Sequence, residues 1–285
     1  MLLYCAENRR APFVAVFQRT AEAHGFNVRV TTPAETPSSA YACFESAYRH
    51  LSVNSQHFEI ACFRRYFAAQ IDLAGERRFV ISDSDIFVQA PWSDFPEAVR
   101  DSSQFVASVG QTPTGPEDDV SPHFSVWTPA LLNDFIEFIL CQYTERIDEL
   151  EALHACRVAT SARAAISDMT LLQLWRRARN VPMIDSNAVQ PDGGYIDHNV
   201  STLLASNARF REHIGRKQLS LRRGRWVYRT VDGDWVRPQI LHLQGRYKLA
   251  AESMLAQRRT GLLALSAYIH LGRNVRRLAE RFHGF

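Results

Sequence analysis

Several signatures of common enzyme classes are missing from this sequence. It contains no P-loop and no GxGxxG, HExxH or GxSxG motif, which argues against P-loop hydrolases, dinucleotide-binding enzymes, zinc proteases and α/β-hydrolases. The longest uncharged stretches, such as residues 120–133, fall short of the roughly 20 apolar residues that span a bilayer. No transmembrane helix is therefore expected.

Cysteine is scarce and unpaired in its spacing. The five cysteines form no CxxC pair and leave an odd residue. Most of them lie in apolar segments, which predicts buried, reduced thiols in a cytoplasmic protein. The opening Met1–Cys5 has no basic residue before it and is too short for a signal-peptide core, so a cytoplasmic location is expected.

What the chain does contain is ordinary for a globular enzyme. Its 285 residues are 46 % hydrophobic and 22 % charged, enough to bury a full core and unlike a disordered or repetitive chain. The prediction is one large domain over residues 1–250, with two small domains as the less favoured alternative. A basic amphipathic helical extension is predicted over residues 251–285.

The net charge of +3 conceals an uneven distribution. Residues 209–285 carry 17 Lys and Arg against 5 Asp and Glu, whereas residues 1–208 carry 16 against 25. A basic C-terminal third could face a polyphosphate substrate, an anionic lipid or nucleic acid. A solvated basic surface explains the same composition equally well.

Short apolar runs alternate with helical patterns along the chain. This alternation predicts an α/β fold with a single, Rossmann-like, mostly parallel and doubly wound sheet. The predicted strands are 2–5, 27–31, 78–82, 105–109, 124–127, 225–229, 235–236 and 240–243, and the predicted helices are 12–23, 57–70, 129–143, 145–156, 168–179 and a segment from about 249, with loops at 33–39 and 112–122.

Two DxD triplets occur, and their contexts differ. With fifteen aspartates in the chain, roughly 0.8 such triplets arise by chance, so the pattern alone decides nothing. Asp232 and Asp234 lie between two short strands, which is typical of a hairpin turn. Asp83 and Asp85 instead follow a buried strand directly, and apolar residues resume after them.

Asp83 and Asp85 have the chemistry of a cation site. Side chains two residues apart in an extended chain project to the same side, and two buried like charges are costly unless a cation neutralises them. Carboxylate oxygens suit Mg²⁺ or Mn²⁺, and ligands gather at the carboxyl ends of strands in open α/β sheets. An incidental surface turn is the alternative interpretation.

A second polar segment begins within the last predicted strand. His242 could supply an imidazole to the same metal ion, which Mn²⁺ accepts. Gly245 would let the backbone approach a phosphate, and Lys248 would neutralise a departing diphosphate. A buried histidine with an ordinary structural role is the alternative for His242.

The strand-borne DxD at Asp83 and Asp85, followed by HxxGxxK from His242, resembles the GT-A glycosyltransferases, particularly glycosyltransferase family eight and its relatives. The resemblance covers most of the chain up to residue 250 and implies a GT-A (nucleotide-diphospho-sugar transferase) fold. It also implies that both aspartates and the histidine bind Mn²⁺ or Mg²⁺. The glycine and lysine of the second motif would then meet the nucleotide diphosphate.

The same resemblance suggests further donor contacts. Arg65 lies in a segment similar to the helix that brings a basic residue toward the donor. Ala6 and Asn8 follow the first strand and match the usual nucleoside-binding loop, and Ser84 lies between the two aspartates. A solvated helix face is the alternative for Arg65.

The chain departs from the family pattern in two places. Ser125 stands in a Phe-Ser-Val sequence where the family has Asn-Ser-Gly, and it is a candidate for the acceptor or sugar pocket. Asp168 keeps the first position of an Asp-Gln-Asp motif whose other two members are absent. It could bind the donor sugar, act as a general base, or cap a helix starting at Met169. Asp197 and His198 could line the acceptor cleft or form a plain polar turn.

The predicted activity is metal-dependent transfer of a sugar from a nucleoside-diphosphate sugar, expected to be uridine-linked, to an acceptor hydroxyl. The acceptor could be a glycan, a lipid-linked saccharide or a protein, and no nucleic-acid partner is expected. The basic stripe in residues 251–285 could lie on the inner face of a membrane, or it could pack on the domain or on a second subunit.

Two other functions remain as alternatives. One is a non-catalytic relative that binds sugar nucleotides, which the complete set of metal-binding residue types disfavours. The other is a phosphatase of the haloacid-dehalogenase type. That class needs a small hydroxyl residue two positions after the second aspartate, where this chain has Phe87.

Overall fold

The structure is a computed structural model that describes residues 1–32, 38–110, 119–160, 164–189, 194–201, 209–213, 216–258, 265 and 267. The chain divides into two compact units. Unit one comprises Met1–Asn8, Val28–Asp83 and Asp101–Asp185, and unit two comprises Arg9–Asn27, Ser84–Arg100 and Ser186–Phe285. The single domain over 1–250 with its extension over 251–285 stays a prediction, and most of that extension lies outside the described residues.

Strands and helices alternate through most of the described chain. The strands are β1 (Leu2–Ala6), β2 (Asn27–Thr31), β3 (Phe79–Ser82), β4 (Ile86–Val88), β5 (Phe105–Gly110), β6 (Asp119–Trp127), β7 (Met183–Asp185), β8 (Glu212–His213), β9 (Arg216–Lys217), β10 (Leu219–Arg222), β11 (Arg225–Arg229), β12 (Trp235–Val236) and β13 (Ile240–His242). The helices are α1 (Pro12–Ala23), α2 (Ser39–Ala47), α3 (Gln56–Asp72), α4 (Glu97–Asp101), α5 (Pro129–Thr144), α6 (Ile147–Thr160), α7 (Asp168–Ala178) and α8 (Ala251–Leu255), with short 3₁₀ helices at Trp92–Asp94 and Gly245–Ala250.

Unit one is built on a six-stranded sheet with the order β2-β1-β3-β6-β5-β7. β1 pairs in parallel with β3, and β5 with β7. β6 runs antiparallel to both of its neighbours. The backbone N–H of Asp83 donates to the carbonyl of His123 at 2.9 Å, so the β3–β6 pairing continues one residue past β3 and fixes the backbone of Asp83.

Helices α3, α5 and α7 contribute large aromatic side chains to the core of unit one. The side chain of Ser55 caps α3 by accepting the N–H of Phe58, and this helix buries Tyr66. Trp127 of β6 stacks on Trp175 of α7 with ring centroids 5.8 Å apart. Aromatic rings bury large apolar areas, so this cluster holds the helices that carry polar site residues firmly in place.

Unit two contains three small sheets around a second core. β10, β11 and β12 form an antiparallel sheet, β8 pairs with β9, and β4 pairs with β13. In the last pair His242 lies opposite Ile86 and Leu241 lies opposite Phe87. Because Ile86 directly follows Asp85, this register brings the second DxD aspartate to the end of the strand that carries His242.

The predicted α/β class with a mainly parallel central sheet is confirmed. The sequence did not predict helices α2 and α4, strands β4 and β7, or strands β8 to β10. Strand β6 begins at Asp119, inside the predicted loop 112–122, of which residues 111–118 lie outside the described chain. The loop at 33–39 lies largely outside it as well.

Two smaller predictions have mixed outcomes. None of the five cysteines, all within described ranges, is in a disulfide, but only Cys5 is buried. The expectation of buried thiols is therefore wrong for the other four. Among the described residues, no helix is long and apolar enough to cross a membrane.

Candidate metal and phosphate site

Asp85 and His242 come together in unit two through the β4–β13 pairing. The backbone N–H of Leu243 donates to the carbonyl of Asp85 at 2.8 Å. His242 Nε2 lies 3.4 Å from Asp85 Oδ1, and both side chains are largely buried, at 4 % and 10 % exposure. Asp85 and His242, which the sequence predicts as metal ligands, therefore lie beside each other.

Lys248 reaches the same carboxylate from the end of the HxxGxxK motif. Its Nζ lies 3.2 Å from Asp85 Oδ2 and 4.9 Å from the ring centroid of Phe13. Gly245 starts the intervening 3₁₀ helix with a φ of +66°, a left-handed conformation that costs other residues free energy. The glycine therefore lets the chain turn directly after β13 and bring Lys248 back to Asp85.

These two basic groups determine the charge of Asp85. Burial by itself would raise the pKa of this carboxyl, but His242 and Lys248 outweigh burial and hold the pKa well below its usual range. Asp85 is thus a buried anion at neutral pH. A buried anion beside an imidazole and an ammonium group is suited to binding a cation and a phosphate together.

Asp83 is the last residue of its segment of unit one, and only Ser84 separates it from Asp85. Two peptide units keep the Cα atoms of the two aspartates within roughly 7 Å of each other. Within unit two, Asp85 and His242 offer a carboxylate and an imidazole that could ligate a metal ion. A carboxylate and an imidazole are donors that fit Mn²⁺ well and Mg²⁺ less closely.

Within unit one, Asp83 belongs to a polar cluster on α3 and α7. Arg65 Nη1 lies 2.5 Å from Asp83 Oδ1, while Nη2 of the same guanidinium is paired with Asp168 Oδ2. The hydroxyl of Tyr66 donates to Asp168 Oδ2 at 3.0 Å. Arg65 thus bridges two predicted site residues that are 85 positions apart in the chain.

Asp168 is not the N-cap residue of its helix. Helix α7 begins at Asp168 itself, and Ser167 occupies the cap position with Thr170 as its partner in a capping box. The suggestion that Asp168 caps a helix starting at Met169 is therefore wrong. The residue is 3 % exposed; its Oδ2 is paired with Arg65 and Tyr66, and its Oδ1 accepts the backbone N–H of Met169 at 2.9 Å, which keeps the carboxylate in one orientation.

The remaining predicted donor contacts occupy varied environments. Ala6 is half-buried at the end of β1, Asn8 is exposed, and Ser84 is 3 % exposed. Ser125 is fully buried in β6, where its hydroxyl lies 3.2 Å from the carbonyl of Ile81 and accepts the indole N–H of Trp127 at 2.8 Å. These contacts engage the Ser125 hydroxyl inside the sheet.

The sequence predicts Asp197 and His198 as acceptor contacts. In the structure both residues lie close to the buried ammonium group of Lys217. Asp197 is fully buried and ion-paired with Lys217, which is also fully buried. His198 is half-buried; burial, followed by the charges of His242 and Lys217, lowers its pKa to about 3. Sequence reasoning missed Lys217 as a site residue because no spacing or motif connects it to Asp197, 20 residues earlier.

A cleft of about 360 Å³ in unit two lies between α1 and α8. Its walls include Pro12, Arg19, Glu252 and Leu255, and none of the predicted site residues. The charged cluster around Asp85 is the better candidate for chemistry, because it brings a buried carboxylate, an imidazole and an ammonium group together.

Comparisons with known proteins add little beyond these observations. No protein-family model matches the chain, and no curated protein matches it. Among solved structures, the chain is similar to a glycosyltransferase involved in the glycosylation of the major capsid of PBCV-1, with 9 % identity and a TM-score of 0.39. The match covers 89 % of this chain and 98 % of that one. A likeness this distant carries no argument about function.

Proposed function

We propose that the chain is a metal-dependent glycosyltransferase that moves a sugar from a nucleoside-diphosphate sugar to an acceptor hydroxyl. The observation that carries the proposal is the convergence of Asp85, His242 and Lys248 within unit two. A carboxylate, an imidazole and an ammonium group meet at the start of β4 and the end of β13. The resemblance of the DxD and HxxGxxK motifs to those of the GT-A enzymes supports the same conclusion.

Asp83, Asp85 and His242 would hold the divalent cation, with Mn²⁺ favoured over Mg²⁺ because an imidazole is among the ligands. When bound, such a cation supplies positive charge that offsets the negative charge on the leaving diphosphate. Lys248 would bind the same diphosphate by a charge-assisted hydrogen bond, with its ammonium group over the ring of Phe13. Gly245 leaves the backbone of that turn accessible to a phosphate.

Arg65, Asp168 and Tyr66 would act on the sugar side of the reaction. The guanidinium of Arg65 lies between Asp83 and Asp168, so it can orient both carboxylates. We retain Asp168 as the group that binds donor-sugar hydroxyls or accepts the proton of the acceptor hydroxyl. Tyr66 would hold Asp168 in either role through its hydrogen bond.

The donor is tested by thermal shift and nucleoside-diphosphate release over a panel of nucleotide sugars, with and without Mn²⁺. Stabilisation by one nucleotide sugar that depends on Mn²⁺, with slow hydrolysis, is expected. Asp85→Ala should abolish turnover and leave the fold intact. Asp94→Asn, an exposed carboxylate of the same unit, is the matched control and should keep turnover.

Other outcomes of the same assay would replace the proposal. Mn²⁺-dependent donor binding with no transfer and no hydrolysis would favour a non-catalytic sugar-nucleotide-binding protein. Release of inorganic phosphate from phosphomonoesters would favour the phosphatase. Near-normal transfer by Asp85→Ala would remove the metal site from the mechanism.

The acceptor and the location are further proposals. A glycan, a lipid-linked saccharide or a protein could supply the hydroxyl, in the cytoplasm and with peripheral membrane contact through residues 251–285. Deleting residues from Leu262 onward should reduce co-sedimentation with anionic liposomes if that contact exists. Unchanged sedimentation would restrict the segment to packing or assembly.

A further inference from the structure

A buried ionic network lies next to His242 in unit two. Lys217 Nζ is paired with Asp197 Oδ1, and both side chains have no exposed surface. The hydroxyl of Tyr228 donates to Asp197 Oδ2 at 2.8 Å. Lys217 Nζ also lies 5.2 to 5.5 Å from the centroids of three rings, those of Tyr195, Phe210 and Tyr228.

Burying such a pair costs free energy, because both charges lose their hydration. Only well-placed hydrogen-bond partners offset that loss. Burial lowers the pKa of Lys217, while Asp197 acts in the opposite direction. Replacing both groups with apolar residues is often neutral or stabilising in other proteins. Stability alone therefore gives little reason for this pair, whose other contacts include the strand that carries His242.

Those contacts end at His242. Asp197 Oδ2 accepts the backbone N–H of His242 at 3.3 Å. The backbone N–H of Asp197 donates to Ile240 at 3.0 Å, and that of Val200 donates to the carbonyl of His242 at 3.1 Å. The segment from Asp197 to Val200 is thus fastened along β13 at both ends.

The carbonyl of His198, in the middle of this segment, lies 2.5 Å from His242 Nδ1. A carbonyl oxygen can only accept a hydrogen bond, so Nδ1 must carry the proton. In the neutral ring, Nε2 then has the lone pair, and Nε2 is the nitrogen that faces Asp85 at 3.4 Å. A metal ligand needs this tautomer, and a hydrogen bond at the other nitrogen commonly fixes it.

We infer that Asp197, with Lys217 as its counter-ion, is a positioning residue that holds the His198 carbonyl against His242 Nδ1 and thereby presents Nε2 as a metal ligand. The metal part of this inference rests on the proposed function. The orientation of the His242 ring does not rest on the proposed function, because all of the contacts that fix the ring are within unit two. The role differs from the acceptor contact predicted from the sequence, which needs Asp197 to have accessible surface.

The first test is the tautomer of His242 in the metal-free protein. Long-range ¹H–¹⁵N correlation spectra of histidine-labelled protein at pH 8, with His242→Gln to assign the signal, should give a protonated Nδ1. The opposite tautomer would overturn the inference. This readout needs neither metal nor substrate.

The second test removes the network while keeping the charges balanced. The double variant Asp197→Asn, Lys217→Met should lose the uniform Nδ1–H tautomer and bind Mn²⁺ about 10- to 100-fold more weakly by calorimetric titration. Tyr228→Phe removes one hydrogen bond to Asp197 and should weaken Mn²⁺ binding less. Asp94→Asn, on the surface of the same unit, should change neither value.

The outcomes separate the two proposals. A folded double variant with an unchanged tautomer and an unchanged Mn²⁺ affinity overturns the positioning role. If the double variant does not fold, an unchanged tautomer and affinity in Tyr228→Phe has the same consequence. If the wild-type protein binds no Mn²⁺, the metal site of the proposed function fails, and the tautomer in the variants alone decides whether Asp197 positions His242.

Discussion

Lys248 Nζ lies 3.2 Å from Asp85 Oδ2, which places the end of the HxxGxxK motif on the second aspartate of the DxD motif. The two residues are 163 positions apart in the sequence. The carboxylate therefore already has a cationic partner before any ligand binds. A negatively charged diphosphate arriving at this place would find an ammonium group held in position by Asp85 and Phe13.

Replacing Lys248 tests whether this ammonium group binds the diphosphate. Lys248→Ala should weaken binding of the nucleoside diphosphate by about 10- to 100-fold, because a hydrogen bond to a charged group contributes about 1.5 to 3 kcal/mol. Calorimetric titration in Mn²⁺ measures this. Lys248→Arg should retain most of the affinity, and equal affinity in the Ala variant and the wild type would contradict the assignment.

Arg65 is expected to stabilise the buried carboxylate of Asp168. Arg65→Met should lower the free energy of unfolding by about 3 kcal/mol, because it leaves a buried carboxylate without its counter-charge. The double variant Arg65→Met, Asp168→Asn should recover a large part of this loss. Urea denaturation measures both, and equal stability of the single and double variants would argue against the pairing.

His198 should make the protein less stable in acid. Its folded-state pKa is lowered to about 3, so the folded protein keeps the ring neutral while the unfolded chain takes up a proton near pH 6.5. The free energy of unfolding should therefore be constant with respect to this group above pH 6.5 and fall as the pH drops toward 3. At pH 5 the loss amounts to at most about 2 kcal/mol.

His198→Gln should remove this part of the pH dependence. Urea midpoints at pH 7.5 and pH 5 should lie closer together in the variant than in the wild type. His57→Gln, an exposed histidine on α3, should leave the wild-type difference in place. An identical pH dependence in all three proteins would mean that His198 is protonated in the folded state.

A glycine should be required at position 245 because the backbone there is left-handed, and not because a side chain would lack room. A methyl group at this position would meet no atom of the described chain within 4 Å beyond its immediate neighbours, but the φ of +66° is left-handed. Gly245→Ala should lower the free energy of unfolding by about 1 to 2 kcal/mol. Gly75→Ala, also with open space but without a positive φ, should change stability by less than about 0.5 kcal/mol. Equal effects would contradict the argument.

Much of the local structure could be predicted from the sequence. Helix α1 begins with a proline in its first turn and ends at the predicted residue, and the hairpin of β11 and β12 matches its turn signal. Strand β3 is an apolar run that leads directly into Asp83. These features depend on neighbours in the chain, so local patterns contain the information.

Some of the missed features depend on strands outside their own segment. Strand β4 is only three residues long and is stabilised by pairing with β13, more than 150 positions away. β6 begins earlier than predicted because Asp119 and Val120 pair with β5. No local periodicity distinguishes such residues from a loop, since their hydrogen-bond partners are set by the fold.

By itself, the sequence determined the α/β class and the residue types of the candidate metal and phosphate site, because strand, turn and motif signals are local. Only the tertiary structure decided which side chains share an environment. It paired Arg65 with both Asp83 and Asp168, and it committed Asp197 to Lys217. A buried charge must have a partner, and the folded chain, rather than the spacing of residues, selects which one is within reach.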